Sequence, residues 1–242
     1  MEYLNRERLQ SLSREDFENR KPYPWVDIEY PLTPEGYQRL RETLPPVESF
    51  NREADIQRDN GQSPRDSYLL HHHPGVELAE PWLEFMAELE GPVYEAFLLQ
   101  MLGPHTFIPT FDWTYAKDGF AEQAQCDAVR KLATHIFYFN TEEDWKREWG
   151  GDILIFDAER RMPLEAHTRF EEMRVAASLE PCGNGSLLYK RTERSWHGAR
   201  PVHCPAGSLR RLFVVTVNVP CLQVWWRNLR GRDPEGFRLK AA

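Results

Sequence analysis

Lys131-Leu132-Ala133-Thr134-His135-Ile136-Phe137-Tyr138-Phe139-Asn140 is the stretch whose reading decides the architecture of this chain. β-Branched and aromatic residues dominate it, and successive side chains of an extended chain point to opposite faces. Thr134, Ile136, Tyr138 and Asn140 therefore share one side of a strand, and His135, Phe137 and Phe139 share the other. Tyr138 becomes a candidate pocket hydroxyl. His135 is expected to pack with the two phenylalanines instead of binding a metal.

The same strand period marks residues 106–115, 151–156, 174–179, 186–191 and 209–219. Turn chemistry separates these runs at Gly150-Gly151, Cys182-Gly183-Asn184-Gly185 and Pro205-Ala206-Gly207. Upstream of Gly103 the period is helical. Thr33 can cap the free amides of a helix that Pro34 opens and Pro45-Pro46 stops. From Pro81, Leu83, Phe85, Met86, Leu89, Val93, Tyr94, Phe97 and Leu98 recur at three- and four-residue steps, with a break at Gly91-Pro92 and an end near Gly103-Pro104. Helices first and strands afterwards predict an antiparallel β-sandwich or barrel buttressed on one face by helices. A single domain is expected over 1–242: a mostly helical support region (1–104), a β core (105–222) and a tail (223–242) whose Trp225 and Trp226 pack back on the body.

The composition suits a globular enzyme or binding module. Of 242 residues 41% are hydrophobic and 28% charged, and a formal charge of -8 argues against a partner such as nucleic acid, whose binders need clustered Lys and Arg. The first 21 residues carry no apolar core of signal-peptide length, and no later stretch approaches a membrane span, so a cytoplasmic protein with no membrane partner is expected. Cys126, Cys182, Cys204 and Cys221 are widely spread without a Cys-x-x-Cys pair, and are read as reduced thiols.

Gln125 and Asp127 lie just before the strand 131–140, two residues apart, so both can face one ligand. His197 follows seventy residues later, and Arg210 opens the last long strand. A carboxylate and an imidazole can hold iron(II) while leaving positions for O2 and a bidentate keto acid, and the planar fork of an arginine can clamp that acid's far carboxylate. In the last strand Arg210, Leu212, Val214, Thr216 and Asn218 share the face with polar groups, which favours Arg210 over Arg211 for the clamp.

The succession Gln125-Cys126-Asp127, Lys131 to Asn140, Trp145, Trp149-Gly150-Gly151-Asp152-Ile153-Leu154, Trp196-His197-Gly198, Pro201-Val202 and Arg210-Arg211 resembles the prolyl-hydroxylase-like branch of the iron(II)- and 2-oxoglutarate-dependent oxygenases. The resemblance covers residues 105 to 219. It implies a mainly β fold with supporting helices, the double-stranded β-helix or jelly-roll barrel. It also implies Fe(II), 2-oxoglutarate and O2 as cofactor and co-substrates, Asp127 and His197 as iron ligands, Arg210 as the keto-acid arginine and Tyr138 as its assistant. Arg211 and Thr216 stand beside these as further keto-acid candidates. Where that family reads His-x-Asp this chain has Gln125-Cys126-Asp127, and a neutral amide oxygen is a poorer iron ligand than imidazole. The expected activity is dioxygenase hydroxylation of a small-molecule substrate. The alternatives are a keto-acid or metabolite-binding barrel that does not turn over, and a cupin-like metal protein of another reaction class.

Other features carry plainer readings. His71-His72-His73 cannot converge on one metal from a helix or strand. Trp145 and Trp149 are expected to pack a short helix or loop against the barrel. His105, which opens a strand ahead of the motif, is the reserve metal ligand, whereas His167 and His203 are ordinary packing or surface residues.

Overall fold

The computed structural model describes residues 1–52, 56–57, 67–158, 173–220, 222, 226 and 238–239. Five helices stand among them: α1 (Arg6–Gln10), α2 (Arg14–Asn19), α3 (Pro34–Glu42), α4 (Glu80–Leu89) and α5 (Pro92–Leu102). The strands are β1 (Trp25–Glu29), β2 (Asn51–Arg52), β3 (Ile56–Gln57), β4 (Ser67–His71), β5 (Ile108–Ala116), β6 (Glu122–Cys126) and β7 (Lys131–Tyr138). After them come β8 (Ile153–Asp157), β9 (Arg174–Leu179), β10 (Gly185–Lys190), β11 (Trp196–Ala199), β12 (Arg210–Asn218) and β13 (Arg238–Leu239). Thr33 caps α3 by accepting from the Gly36 amide, with Pro34 in its first turn, as its sequence predicts.

A larger sheet runs β1-β10-β7-β12-β5-β4-β2, and a smaller one β6-β11-β8-β9. From β5 to β12 consecutive strands alternate between the two sheets, except that β8 and β9 pair with each other in the smaller one, and the pairings are antiparallel, which is the double-stranded β-helix. The N-terminal region departs from the mostly helical expectation: β1 pairs with β10, and β4 with β5, so it extends the larger sheet at both edges. Their runs are only five residues long, too short for a period to separate them from loop. Among the described residues of the tail, Trp226 is exposed; Trp225 lies outside the described residues.

The outer face of the larger sheet is an aromatic layer. Phe111, Trp113, Phe137, Phe139 and Phe213 meet Trp82 and Phe85 of α4, with Trp82 centred 5.1 Å from each of Trp113, Phe139 and Phe213. The inner face carries a second cluster, with Ile136, Tyr138, Leu187, Tyr189 and Leu212 against Ile153 and Ile155 of the smaller sheet. Trp145, edge-on to Trp149 at 5.4 Å, closes one end of the barrel with Phe120 and Val202. Cys126, Cys182 and Cys204 are unbridged thiols, and Cys221 lies outside the described residues. No helix among the described residues is long and apolar enough to cross a membrane.

His135 belongs to the outer layer. One ring nitrogen meets the Tyr94 hydroxyl and the other the Ser186 hydroxyl, each at 2.9 Å, and full burial pushes its pKa down to about 3. An unfolded histidine titrates near 6.5, so unfolding takes up a proton at any pH between these values. The fold therefore loses stability from this residue as pH falls below about 6.5, by up to about 1.4 kcal/mol per pH unit. In His135→Asn the dependence of unfolding free energy on pH, measured with urea from about pH 7 to about pH 4, is expected to be flatter by that amount. An unchanged slope would assign the acid sensitivity to other groups.

Candidate metal and keto-acid site

β11 lies between β6 and β8, and its register sets His197 opposite Gln125 on one side and Ile155 on the other. Directly paired residues share a face, and Ile155 belongs to the barrel interior, so Gln125 and His197 lie on that inner side. Asp127 leaves the end of β6 two residues beyond Gln125. Its Oδ1 accepts from Lys131 Nζ at 2.7 Å, and its Oδ2 accepts from the Thr134 and Tyr189 hydroxyls, each at 2.9 Å. Burial works to raise the Asp127 carboxyl, yet Lys131, His197 and these hydrogen bonds hold it well below the usual carboxylate range.

His197 is 6% exposed and Asp127 8%. His197 Nδ1 is 3.0 Å from the Ser195 carbonyl oxygen, which can only accept, so Nδ1 carries the proton. Nε2, the other ring nitrogen, points at the Tyr189 hydroxyl 3.1 Å away. The same hydroxyl contacts Asp127 Oδ2, so carboxylate and imidazole converge on one point. Among the described residues no group of three or more His, Cys, Asp or Glu side chains is arranged around one metal position. The pair nevertheless fits a divalent iron ion: one carboxylate oxygen donor, one imidazole nitrogen donor with its second nitrogen fixed, and a polar surround. Gln125 is half-buried, and its Nε2 donates to Glu122 Oε1 at 2.6 Å.

Arg210 enters the barrel from its other end. It is 2% exposed, its Nη1 donates to the Gly151 carbonyl at 2.6 Å, and its guanidinium lies 4.7 Å from the centre of the Phe120 ring. Gly151 is needed there, because its φ is +79° and a Cβ would come 3.1 Å from Arg210 Cδ. Arg211 faces the opposite way, half-exposed, with Nη1 2.9 Å from Asp144 Oδ2. Tyr138 is buried on the inner face opposite Leu212, and its hydroxyl donates to Asp27 Oδ1 at 3.4 Å. Thr216, also buried, stands opposite Thr134. Thr134 and Thr216 thus sit at the Asp127 end and Arg210 at the far end. The rows of Ile136 with Val214 and of Tyr138 with Leu212 lie between them.

The remaining histidines do not join this group. His71 pairs with Asp112 at 2.6 Å, His72 packs near Phe111, and His105 and His203 are exposed; His167 lies outside the described residues. Sequence reasoning passed over Tyr189, Thr134 and Lys131 as partners of Asp127. The parity of β10 held a signal for Tyr189, since it shares a face with Leu187 and breaks an apolar row with a hydroxyl.

The family model described as the 2OG-Fe(II) oxygenase superfamily matches residues 105–218. Among solved structures, a prolyl-4-hydroxylase from Pseudomonas putida is similar at 15% identity and a TM-score of 0.58, over 86% of this chain and 97% of its own. A Trichoplax adhaerens prolyl hydroxylase, in complex with a peptide of the hypoxia inducible factor oxygen degradation domain, is similar at 13% and 0.62 over 88% and 90%. The non-heme alpha-ketoglutarate-dependent carbocyclase SnoK from nogalamycin biosynthesis is similar at 14% and 0.60 over 96% and 98%. No curated protein matches the sequence. At these identities the likeness to solved structures is one of fold.

Proposed function

Residues 105–218 match the 2OG-Fe(II) oxygenase superfamily, and on that premise we propose that this chain hydroxylates a small molecule with consumption of O2 and 2-oxoglutarate and release of succinate and carbon dioxide. The observation that carries the reading is the approach of Asp127 Oδ2 and His197 Nε2 to a single hydroxyl, at 2.9 and 3.1 Å, inside a barrel whose other end holds a buried arginine. Bound iron(II) supplies the redox chemistry and the open coordination positions.

The chain's own residues prepare that chemistry. Lys131 and Thr134 keep Asp127 ionised and oriented, while the Ser195 carbonyl keeps the His197 proton on Nδ1 and leaves Nε2 as donor atom. Arg210 anchors the distal carboxylate of the keto acid, with Tyr138 and Thr216 on the same inner face of the barrel wall. Ile136, Leu187 and Leu212 exclude water between the two polar ends. Arg211 is held by Asp144 on the opposite face, which speaks for Arg210 as the clamp. A second reading, a keto-acid-binding barrel without turnover, rests on Gln125, whose amide is engaged by Glu122. Iron-dependent conversion of 2-oxoglutarate to succinate tests the first reading against the second.

Arg210→Ala is expected to weaken 2-oxoglutarate binding about ten- to a hundredfold, the loss of a charge-assisted pair, while Arg211→Ala leaves it unchanged. Calorimetry on both variants, with thermal unfolding as the folding control, checks this. The reverse pattern would place the clamp on the outer face of β12.

Gln125→His is expected to tighten iron(II) binding by about tenfold or more, because imidazole is a better ligand than an amide oxygen. Anaerobic iron titration of the two proteins measures it, and equal affinities would mean that residue 125 does not reach the metal.

A further inference from the structure

We propose that Tyr189 is itself a protein ligand of the metal, completing with Asp127 and His197 a three-donor set in which a phenol oxygen stands in for the histidine that Gln125 replaces. The inference rests on the reading of Asp127 and His197 as metal ligands.

Its first support is spacing. Donor atoms about 2.1 Å from a metal and at right angles to one another lie roughly 3.0 Å apart. Tyr189 Oη is 2.9 Å from Asp127 Oδ2 and 3.1 Å from His197 Nε2, so it stands at the separation of a neighbouring ligand from both.

The second support is the donor set. His197 Nδ1 is held by the Ser195 carbonyl, so Nε2 is the ring atom that faces the Tyr189 hydroxyl, and Asp127 Oδ2 faces the same hydroxyl. A carboxylate oxygen, an imidazole nitrogen and a phenol oxygen are thus neighbours in one buried place, each of a kind that binds iron.

The third support is rigidity. Tyr189 is the penultimate residue of β10, paired with Trp25 on one side and Thr134 on the other, and is 2% exposed. Its ring is confined between His197, at 4.7 Å between centroids, and Tyr23, at 6.4 Å. The hydroxyl is therefore delivered by the sheet register and not by a loop. Gln125, in contrast, donates its amide to Glu122 at 2.6 Å. A phenol oxygen is a hard donor suited to iron, and tyrosine serves as an iron ligand elsewhere in metalloprotein chemistry. When the oxygen binds iron(III), its proton leaves to solvent and the O–Fe bond takes its place.

The test uses the full chain and two variants. Tyr189→Phe keeps the ring and removes the oxygen; Tyr189→His offers a different donor. Thermal unfolding establishes that both fold. Loaded with iron(III) from a ferric chelate, the wild-type protein should show the intense visible charge-transfer absorption of an iron(III) phenolate, and both variants should lack it. Anaerobic titration should show iron(II) bound at least about tenfold more weakly by Tyr189→Phe, with binding recovered in Tyr189→His. Iron bound by the wild type with no such absorption, and with the same affinity in Tyr189→Phe, would overturn the assignment of Tyr189 while leaving Asp127 and His197 as ligands. If the wild-type protein binds no iron at all, both this inference and the reading beneath it fall.

Discussion

The two-faced alternation of β7 is the constraint on which the structure turns. His135, Phe137 and Phe139 point outward into the aromatic layer under α4 and α5, and Thr134, Ile136 and Tyr138 point inward. A slip of one residue would exchange the two sets, placing the phenylalanines on the inner face and leaving Asp127 without its Thr134 partner. The helices thus do more than cover a surface. Trp82, touching Trp113, Phe139 and Phe213, locks β5, β7 and β12 into a register that also aligns the inner face.

The inner face is organised by charge as well as by shape. A buried carboxylate is costly unless paired, and Asp127 has Lys131 at 2.7 Å together with two hydroxyl donors. The buried guanidinium of Arg210 lies at the far end, on the Gly151 carbonyl and over Phe120. Apolar rows separate the two ends. The two buried charges thus lie at opposite ends of one largely apolar wall.

Local pattern made much of this legible beforehand. The strand period marked β5, β7, β8, β9, β10 and β12, and the Thr33-Pro34 start and the Gly91-Pro92 break marked α3, α4 and α5. Parity within β7 and β12 was enough to turn His135 outward and Arg210 inward, because side-chain direction along a strand is a local property. Short strands were harder. β1, β4, β6 and β11 run four or five residues, and they exist as strands because a neighbour pairs with them.

What the sequence by itself determined is the order of the long strands and of α3, α4 and α5, the faces of those strands, and the candidacy of Gln125, Asp127, His197 and Arg210. What only the tertiary structure decided is which of these groups meet, and through whom. Tyr189 stands 62 residues from Asp127 along the chain, and its hydroxyl reaches both that carboxylate and His197 because β10 pairs with β7 while β11 crosses to the other sheet. Gln125 likewise acquires Glu122 as a partner through the irregular pairing of β6 with β11. Periodicity reports which way a side chain points, but the register between strands distant in sequence is set by packing of the whole barrel, and no local pattern encodes it.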